Sequence, residues 1–497
     1  MRRNIILIIF IFVVIKIELA QQPLQVIFDT EYGIGCSKII EDNNNDYVLC
    51  CSEGYEDMNY HFNSWGRIIK LTQNFDISSK LIIIPDTDMY FSDIVVTDIN
   101  KYITIGSYGY DTGYYYKCTN IIIGCLDENL ETVNQTFTAL PDGYFNPSIY
   151  LCKGPDDRIY AAGYANFLGF MHFFLLKIDS NGNILQSNFP QYPDSAYTNR
   201  IIGISDFNFS TNTFVAFGTS FDYTSTVQAI EIDTNLNYSI TGLNDLQNGY
   251  SFGVHASSKW INDSTMIFSS CDNPDNNKFI FEDLFVAKIN NTYEFIDEPI
   301  WIGREDTTDF PPKYSIDFKT TDNIFLGAFS GQSASEPFEY NYFVGLIDES
   351  MNKKGEKRIG EDNINYSLMA MVATSDGGCI FVSTRNDFLN TPDYDWDLHI
   401  LKLYPNDIIT SAAETPLKID SDYNIFPNPG KDELYIQTSN KGVTIQLFNE
   451  RGIVVLSEQL DDNYTSTINT SGLSSGLYFY RVTDKRGFSE SGKWIKK

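Results

Sequence analysis

Basic residues are scarce in this chain: 35 lysines and arginines stand against 65 aspartates and glutamates, for a formal charge of −30 over 497 residues. A surface of that sign repels nucleic acid and anionic lipid, which excludes both as expected partners. Histidine is scarcer still. The four, His61, His172, His255 and His399, are scattered and form no His-Glu-x-x-His pair. No Cys-x-x-Cys accompanies them, so the usual zinc patterns are missing, and no metal or cofactor is expected. Phosphate-binding and dinucleotide fingerprints are missing too, which weighs against nucleotide chemistry. Beyond the first twenty residues no stretch approaches the roughly 20 apolar residues of a membrane-spanning helix. The mature chain is therefore expected to have no transmembrane segment.

The N-terminus is the exception to that polarity. Arg2 and Arg3 precede an apolar run from Ile5 to Ile15, Lys16 interrupts it, and Ala20 stands before Gln21-Gln22. This is the pattern of a secretory signal peptide over residues 1–20, with Glu18 where a small residue is usual. Eight cysteines in an exported chain allow disulfides; buried free thiols are the equal alternative. The adjacent Cys50 and Cys51 fall in an expected strand, where they point to opposite faces and do not share a partner.

A fixed period governs the body, residues 21–410. A strand ending in a Lys-Ile-Asp-like signature recurs at Lys70-Leu71-Thr72, Cys125-Leu126-Asp127, Lys177-Ile178-Asp179, Glu231-Ile232-Asp233, Lys288-Ile289-Asn290, Leu346-Ile347-Asp348 and Lys402-Leu403-Tyr404. A second apolar strand precedes each at a steady interval, from Tyr47 to Cys50 through to Cys379 to Val382. Helical periodicity is absent, while short β-branched and aromatic runs alternate with Asn, Asp and Gly turns. Units of about 55 residues with room for four strands match propeller blades. The expectation is an all-β chain: a seven-bladed β-propeller followed by a small C-terminal Ig-like β-sandwich. Gln25-Val26-Ile27-Phe28, ahead of the first blade, is expected to complete the seventh and close the ring.

The connections fall into two styles. One set is short and polar, such as Asp42-Asn43-Asn44-Asn45-Asp46, Asp179-Ser180-Asn181-Gly182 and Ser375-Asp376-Gly377-Gly378, and reads as tight hairpins. Asp179 to Asn183 has oxygen ligands and a glycine but not the full spaced calcium loop. The other set, on the opposite face, is longer and mixes aromatics with acids: Glu53 to His61, Tyr108 to Tyr114, Asp272 to Asp283, Glu336 to Tyr340 and Tyr394-Asp395-Trp396-Asp397. Loops held by a rigid scaffold tend to carry function, so Tyr55, His61, Tyr110, Tyr394 and Trp396 are the candidate ligand-binding residues. Aromatic faces beside carboxylates suit a glycan or a protein ligand, although rings at this density also pack between blades. His172 and His399 fall in third strands and read as structural. With 65 acids, paired carboxylates for glycoside cleavage cannot be singled out, and no catalytic residue is assigned.

From Ile425 the pattern changes. The signal segment holds three basic and one acidic residue, and Ile425 to Lys497 holds nine and eight, leaving 23 against 56 on residues 21–424, or −33. Compact strands are expected at Leu434 to Ile436, Val443 to Phe448, Ile453 to Leu456, Gly476 to Val482 and Lys493 to Ile495, after a linker over residues 411–423. Phe426-Pro427-Asn428-Pro429, Leu447-Phe448-Asn449 with Gly452, Leu473-Ser474-Ser475-Gly476-Leu477-Tyr478 and Lys493-Trp494-Ile495-Lys496 follow in order. Residues 424–497 resemble the C-terminal sorting domain of type IX secretion cargo in Bacteroidetes, with Phe426 and Leu477 as mild departures. That resemblance implies Pro427, Asn428, Pro429, Gly452, Leu473, Gly476, Tyr478 and Lys493 as the sorting signal, the type IX machinery as a partner, and a secreted or outer-membrane-surface destination. The body resembles propeller repeats in general and inherits no activity from them. Three roles stay open: a propeller that binds a glycan or protein, a polysaccharide hydrolase or lyase, and a passive surface-layer component.

Overall fold

The computed structural model describes residues 24–409 and 423–497, apart from 31, 57–61, 84–86, 112–115, 142–143, 168–169, 191–198, 221–226, 243–254, 273–282, 304–306, 333–339, 362–363, 388–395, 439–442, 450–453, 461–464 and 484–488. The expected signal peptide, His61, Tyr394, Gly452 and most of the linker lie outside the described residues. Two compact units divide the chain, Met1–Ile409 and Thr410–Lys497. Strands supply nearly all regular structure; Pro405–Ile408 is the single α-helix among the described residues.

The first unit is a succession of antiparallel sheets. Each starts from an inner strand: Gly33–Glu41, Asp88–Val96, Tyr144–Lys153, Asn199–Ile204, Ser257–Asn262, the interrupted pair Thr307–Phe310 and Ile316–Thr320, and Ile364–Ala373. Three further strands follow outward in the first five sheets, as in Gly33–Glu41, Tyr47–Glu56, Phe62–Leu71, Ile77–Ile82. The last sheet differs. Its outermost strand is the N-terminal Leu24–Phe28, which pairs antiparallel with Asp397–Leu403 in the register Val26 to Ile400. The strand that the sequence places ahead of the first sheet thus completes the final one.

Middle strands are apolar on successive residues because both faces of each sheet are covered. Ile121, Ile122 and Ile123 are all fully buried. Cys50 joins the core between the first and second sheets, and Cys51 the core between the last sheet and the first. Seven such clusters fill the gaps between consecutive sheets, the last bringing Val372, Ile380 and Val382 against Ile34, Leu49 and Ile69. The arrangement is propeller-like. The described cysteines Cys36, Cys50, Cys51, Cys118, Cys125, Cys152 and Cys379 are buried thiols without a disulfide.

The repeated Lys-Ile-Asp signature has a physical cause. At Asp127, Asp179, Asp233 and Asn290 the side-chain oxygen accepts the backbone N–H groups two and four residues on, which fixes a tight turn. The third residue after each of these, and after Thr72 and Asp348, which accept the N–H four residues on, takes positive φ: Phe75, Leu130, Gly182, Leu236, Tyr293 and Met351. Positive φ costs an L-residue about 1–2 kcal/mol, and here the large ones recover it by burial, with Leu130, Leu236, Tyr293 and Met351 in the inter-sheet cores. Asp179 is accordingly a turn residue. Partial burial works to raise its carboxyl, but the Asn183 and Asn181 hydrogen bonds outweigh it and hold the group below the usual range.

On the opposite face the strands run further than the sequence suggests. Tyr47–Glu56 and Tyr102–Asp111 include Tyr55 and Tyr110, which are strand residues rather than loop residues. Aromatic residues favour strands, and ladder partners extend that far, Asn63 opposite Tyr55 and Lys117 opposite Tyr110.

The second unit has two sheets: Tyr423–Phe426, Glu433–Thr438 and Thr465–Asn469 in one; Val454–Gln459, Thr444–Phe448, Gly476–Thr483 and Ser489–Lys496 in the other. Leu434, Ile436, Ile445, Leu447, Ile468, Tyr478 and Trp494 form their shared core. Two of these strands were not expected. Tyr423–Phe426 begins at the final residue assigned to the linker, and Thr465–Asn469 is almost wholly polar in sequence.

Candidate functional site

The inner strands surround a channel. Every one carries a register irregularity, for example between Cys36 and Lys38, Phe91 and Asp93, Ile201 and Gly203, and Leu368 and Ala370. Such bulges bend a strand and re-aim its side chains. In the sixth sheet the inner strand is broken outright between Phe310 and Ile316. Pro311-Pro312 occupy the break, and a residue without an N–H cannot continue a ladder.

That break sends Lys313 and Tyr314 across the channel. Lys313 Nζ donates to the carbonyl oxygens of Ser92 and Ile149, both at 2.7 Å, and lies 3.9 Å from the centre of the Tyr150 ring. Tyr314 donates its hydroxyl to Asp93 in a short hydrogen bond. Asp93 is fully buried, pairs with Lys38 at 2.9 Å, and accepts the Leu151 and Ile94 N–H groups at 2.7 Å each. Lys38 also sits 4.4 Å over the Tyr314 ring. Four sheets meet in this plug. It contains two ammonium groups and one carboxylate. Burial pushes the Lys313 amine down to about 8, partly countered by the Asp93 charge, and pushes the Tyr314 phenol well up, with Asp93 adding to it.

A cavity lies on each side. On the side where the inner strands end, about 750 Å³ is lined from all seven sheets, including Asp98, Lys153, Phe207, Phe209, Lys259, Trp260 and Lys319. Its charges are matched: Lys153 meets Asp98 at 2.5 Å, Lys259 meets Asp317 at 2.5 Å, and Lys319 meets Glu41 at 3.0 Å. Where the inner strands begin, about 470 Å³ is lined by Ser37, Ser52, Ser92, Ser148 and Ser367, the rings of Tyr90, Phe91 and Phe329, His255 and Lys313. Among the described lining residues of this second cavity there is no aspartate or glutamate.

The ligand candidates fall at this second, strand-start end. Gly54, beside Tyr55, pairs with Gly33, and Gly109, beside Tyr110, pairs with Asp88, so both tyrosines stand level with the inner-strand starts. The carbonyl of half-buried Trp396 accepts the Ile34 N–H at 2.9 Å. His61 and Tyr394 lie outside the described residues. His172 and His399 occupy third strands; His399 is buried against Tyr366 with its imidazole pushed down to about 4 by desolvation. Lys313 was missed by the sequence reading. The available signal was the proline pair, which sits where an inner strand should run and is followed at once by a cation.

In the second unit the two ends of the motif series meet. Asn428 Nδ2 donates to the Lys493 carbonyl at 2.7 Å, and its Oδ1 accepts the Ile495 N–H at 3.1 Å. Trp494 Nε1 donates to the Pro427 carbonyl at 3.0 Å, and Gly430 and Lys497 continue the pairing. A Cβ on Gly430 would fall 2.8 Å from Trp494 Nε1. Tyr478 packs at a tilt against Trp494 and donates to the Ser474 carbonyl, with Leu473 packed on the same core. Pro429 is exposed between the two arms, and Gly476 opens the strand Gly476–Thr483. The model of the secretion system C-terminal sorting domain matches residues 424–497. This tail is a type IX sorting domain. It sends the chain to the cell surface or the extracellular space.

No curated protein matches the chain. Among solved structures it is similar to the intramolecular trans-sialidase of Ruminococcus gnavus, at 8% identity and a TM-score of 0.41, over 76% of this chain and 95% of that one. The leech intramolecular trans-sialidase gives 9% and 0.42, over 78% and 70%. The polysaccharide lyase Uly1 gives 9% and 0.41, over 76% and 90%.

Proposed function

We propose that this chain is type IX cargo whose working part, residues 21–410, is a seven-bladed β-propeller that binds a glycan or protein ligand at the strand-start end of its channel. Residues 1–20 serve as signal peptide, 411–423 as linker, and 424–497 as an Ig-like sandwich that carries the sorting signal. One observation carries the binding site: the 470 Å³ cavity, built from six of the seven sheets and floored by the plug. Its size falls within the roughly 300–1,000 Å³ of small-molecule sites. Serine hydroxyls and aromatic rings are the groups that recognise sugar hydroxyls and C–H faces. Tyr55, Tyr110 and Trp396, whose backbone stands at the same strand-start end, are the residues proposed to meet the ligand, together with His61 and Tyr394, which lie outside the described residues. Paired-carboxylate hydrolysis draws no support from the described lining, which offers no acid to serve as proton donor.

Glycan and protein arrays probed with the exported protein and with a Tyr55→Ala, Tyr110→Ala, Trp396→Ala variant test this reading. The parent should bind a defined ligand set and the variant should lose it. Equal binding by the two would show that the ligand enters elsewhere.

A further inference from the structure

The plug contains an uncompensated cation. Lys38 and Lys313 bring two positive charges, and Asp93 brings one negative charge already committed to Lys38, Tyr314 and two backbone N–H groups. Among the described residues Lys313 has no carboxylate partner; it gives two of its three N–H protons to carbonyl oxygens and stands over the Tyr150 ring. The lysines around the other cavity each face an acid, and residues 21–424 together carry −33. A positive charge therefore stands in the floor of a cavity whose described lining has no acid.

Desolvating an ammonium without a counter-ion is costly, and a partly exposed one facing a cavity gains most from an anion delivered there. One spare N–H and one net charge match a monoanion. A phosphate or sulfate dianion would bring a second charge, and Lys313 is the one lysine or arginine in the described lining. Five serine hydroxyls and three aromatic rings around the same floor match the remainder of a sugar.

We propose that Lys313 is an anion socket and that the ligand of this cavity is a carboxylate-bearing sugar, such as a uronic acid residue, whose carboxylate takes the third ammonium proton. This rests on the proposed binding role of the strand-start end and narrows its ligand class.

The test is calorimetric titration of the full exported chain with oligouronides, with the same oligosaccharides after reduction of carboxyl to hydroxymethyl, and with inorganic sulfate. The acidic sugars should bind at least about tenfold more tightly than their reduced forms, as for a charge-assisted hydrogen bond. Lys313→Met should erase that discrimination, and Lys313→Arg should retain part of it. Should Lys313→Met fail to fold, amine-selective labelling of the parent gives the second readout: the uronide should protect Lys313 and the reduced sugar should not. Absence of uronide binding, equal affinity for acid and reduced sugar, preference for sulfate, or an unchanged Lys313→Met variant overturns the socket. Neutral glycans or proteins that bind and depend on Tyr55, Tyr110 and Trp396 but not on Lys313 would leave the broader binding role standing while this inference falls.

Discussion

Lys313 shows how one residue can be placed by chemistry that its own segment barely displays. Two prolines break the ladder, and the ammonium reaches Ser92 and Ile149, far away in sequence. Its amine is pushed down to about 8 from an ordinary 10.5 by burial, with Asp93 and Cys50 acting to raise it, Lys38 to lower it, and the Tyr150 and Tyr314 rings beside it. Between those two values the unfolded chain holds more protons than the folded one. This residue's contribution to stability therefore improves as pH rises through that window and is fully unfavourable below it. Lys313→Met removes the titration. Denaturant unfolding at pH 7 and pH 10 should find the variant more favourable, relative to the parent, at pH 7 than at pH 10. A difference independent of pH would mean that the amine is not desolvated in the fold.

At the scale of the element, the hairpin turns decide the repeat. Gly377 has φ 88°, and a Cβ there would meet nothing within 4 Å, so Gly377→Ala isolates the backbone cost. A loss of about 1–2 kcal/mol is expected, with Asn at the same position milder. Leu236 holds the same kind of backbone with a buried side chain, and Leu236→Ala should cost about 2–5 kcal/mol through the cavity it leaves. Urea midpoints of the two variants would separate strain from burial; equal and negligible losses would contradict both. These turns were legible because an Asp or Asn and a fixed offset to an apolar residue recur on one short period. The plug was not, since it depends on which bulges face one another across the channel, and nothing local to Asp93 or Lys38 names the partner. Thr465–Asn469 escaped for a different reason: it buries only Ser466 and Ile468, so its alternation shows a single apolar residue. The ends of Tyr47–Glu56 and Tyr102–Asp111 were hidden by glycine and acid among the tyrosines, which resemble loop composition.

For the whole molecule, closure and delivery are separate problems solved by separate segments. The last body sheet is completed by Leu24–Phe28, so removal of residues 24–28 leaves Asp397–Leu403 as an exposed edge, a template for association. The sorting domain stands apart by composition and by core: nine basic against eight acidic residues, and a hydrophobic cluster of its own. Each body cluster is likewise built from body residues alone, including the one that joins last sheet to first. A chain ending at Ile409 should therefore keep the body's unfolding midpoint and any ligand affinity of the full protein, yet fail to reach the cell surface. Denaturant unfolding and ligand titration of the purified truncation, together with immunodetection of surface and medium fractions, read these properties separately. Loss of the body's midpoint on truncation would show that the tail is part of the folding unit, and surface delivery without it would show that the address lies elsewhere in the chain.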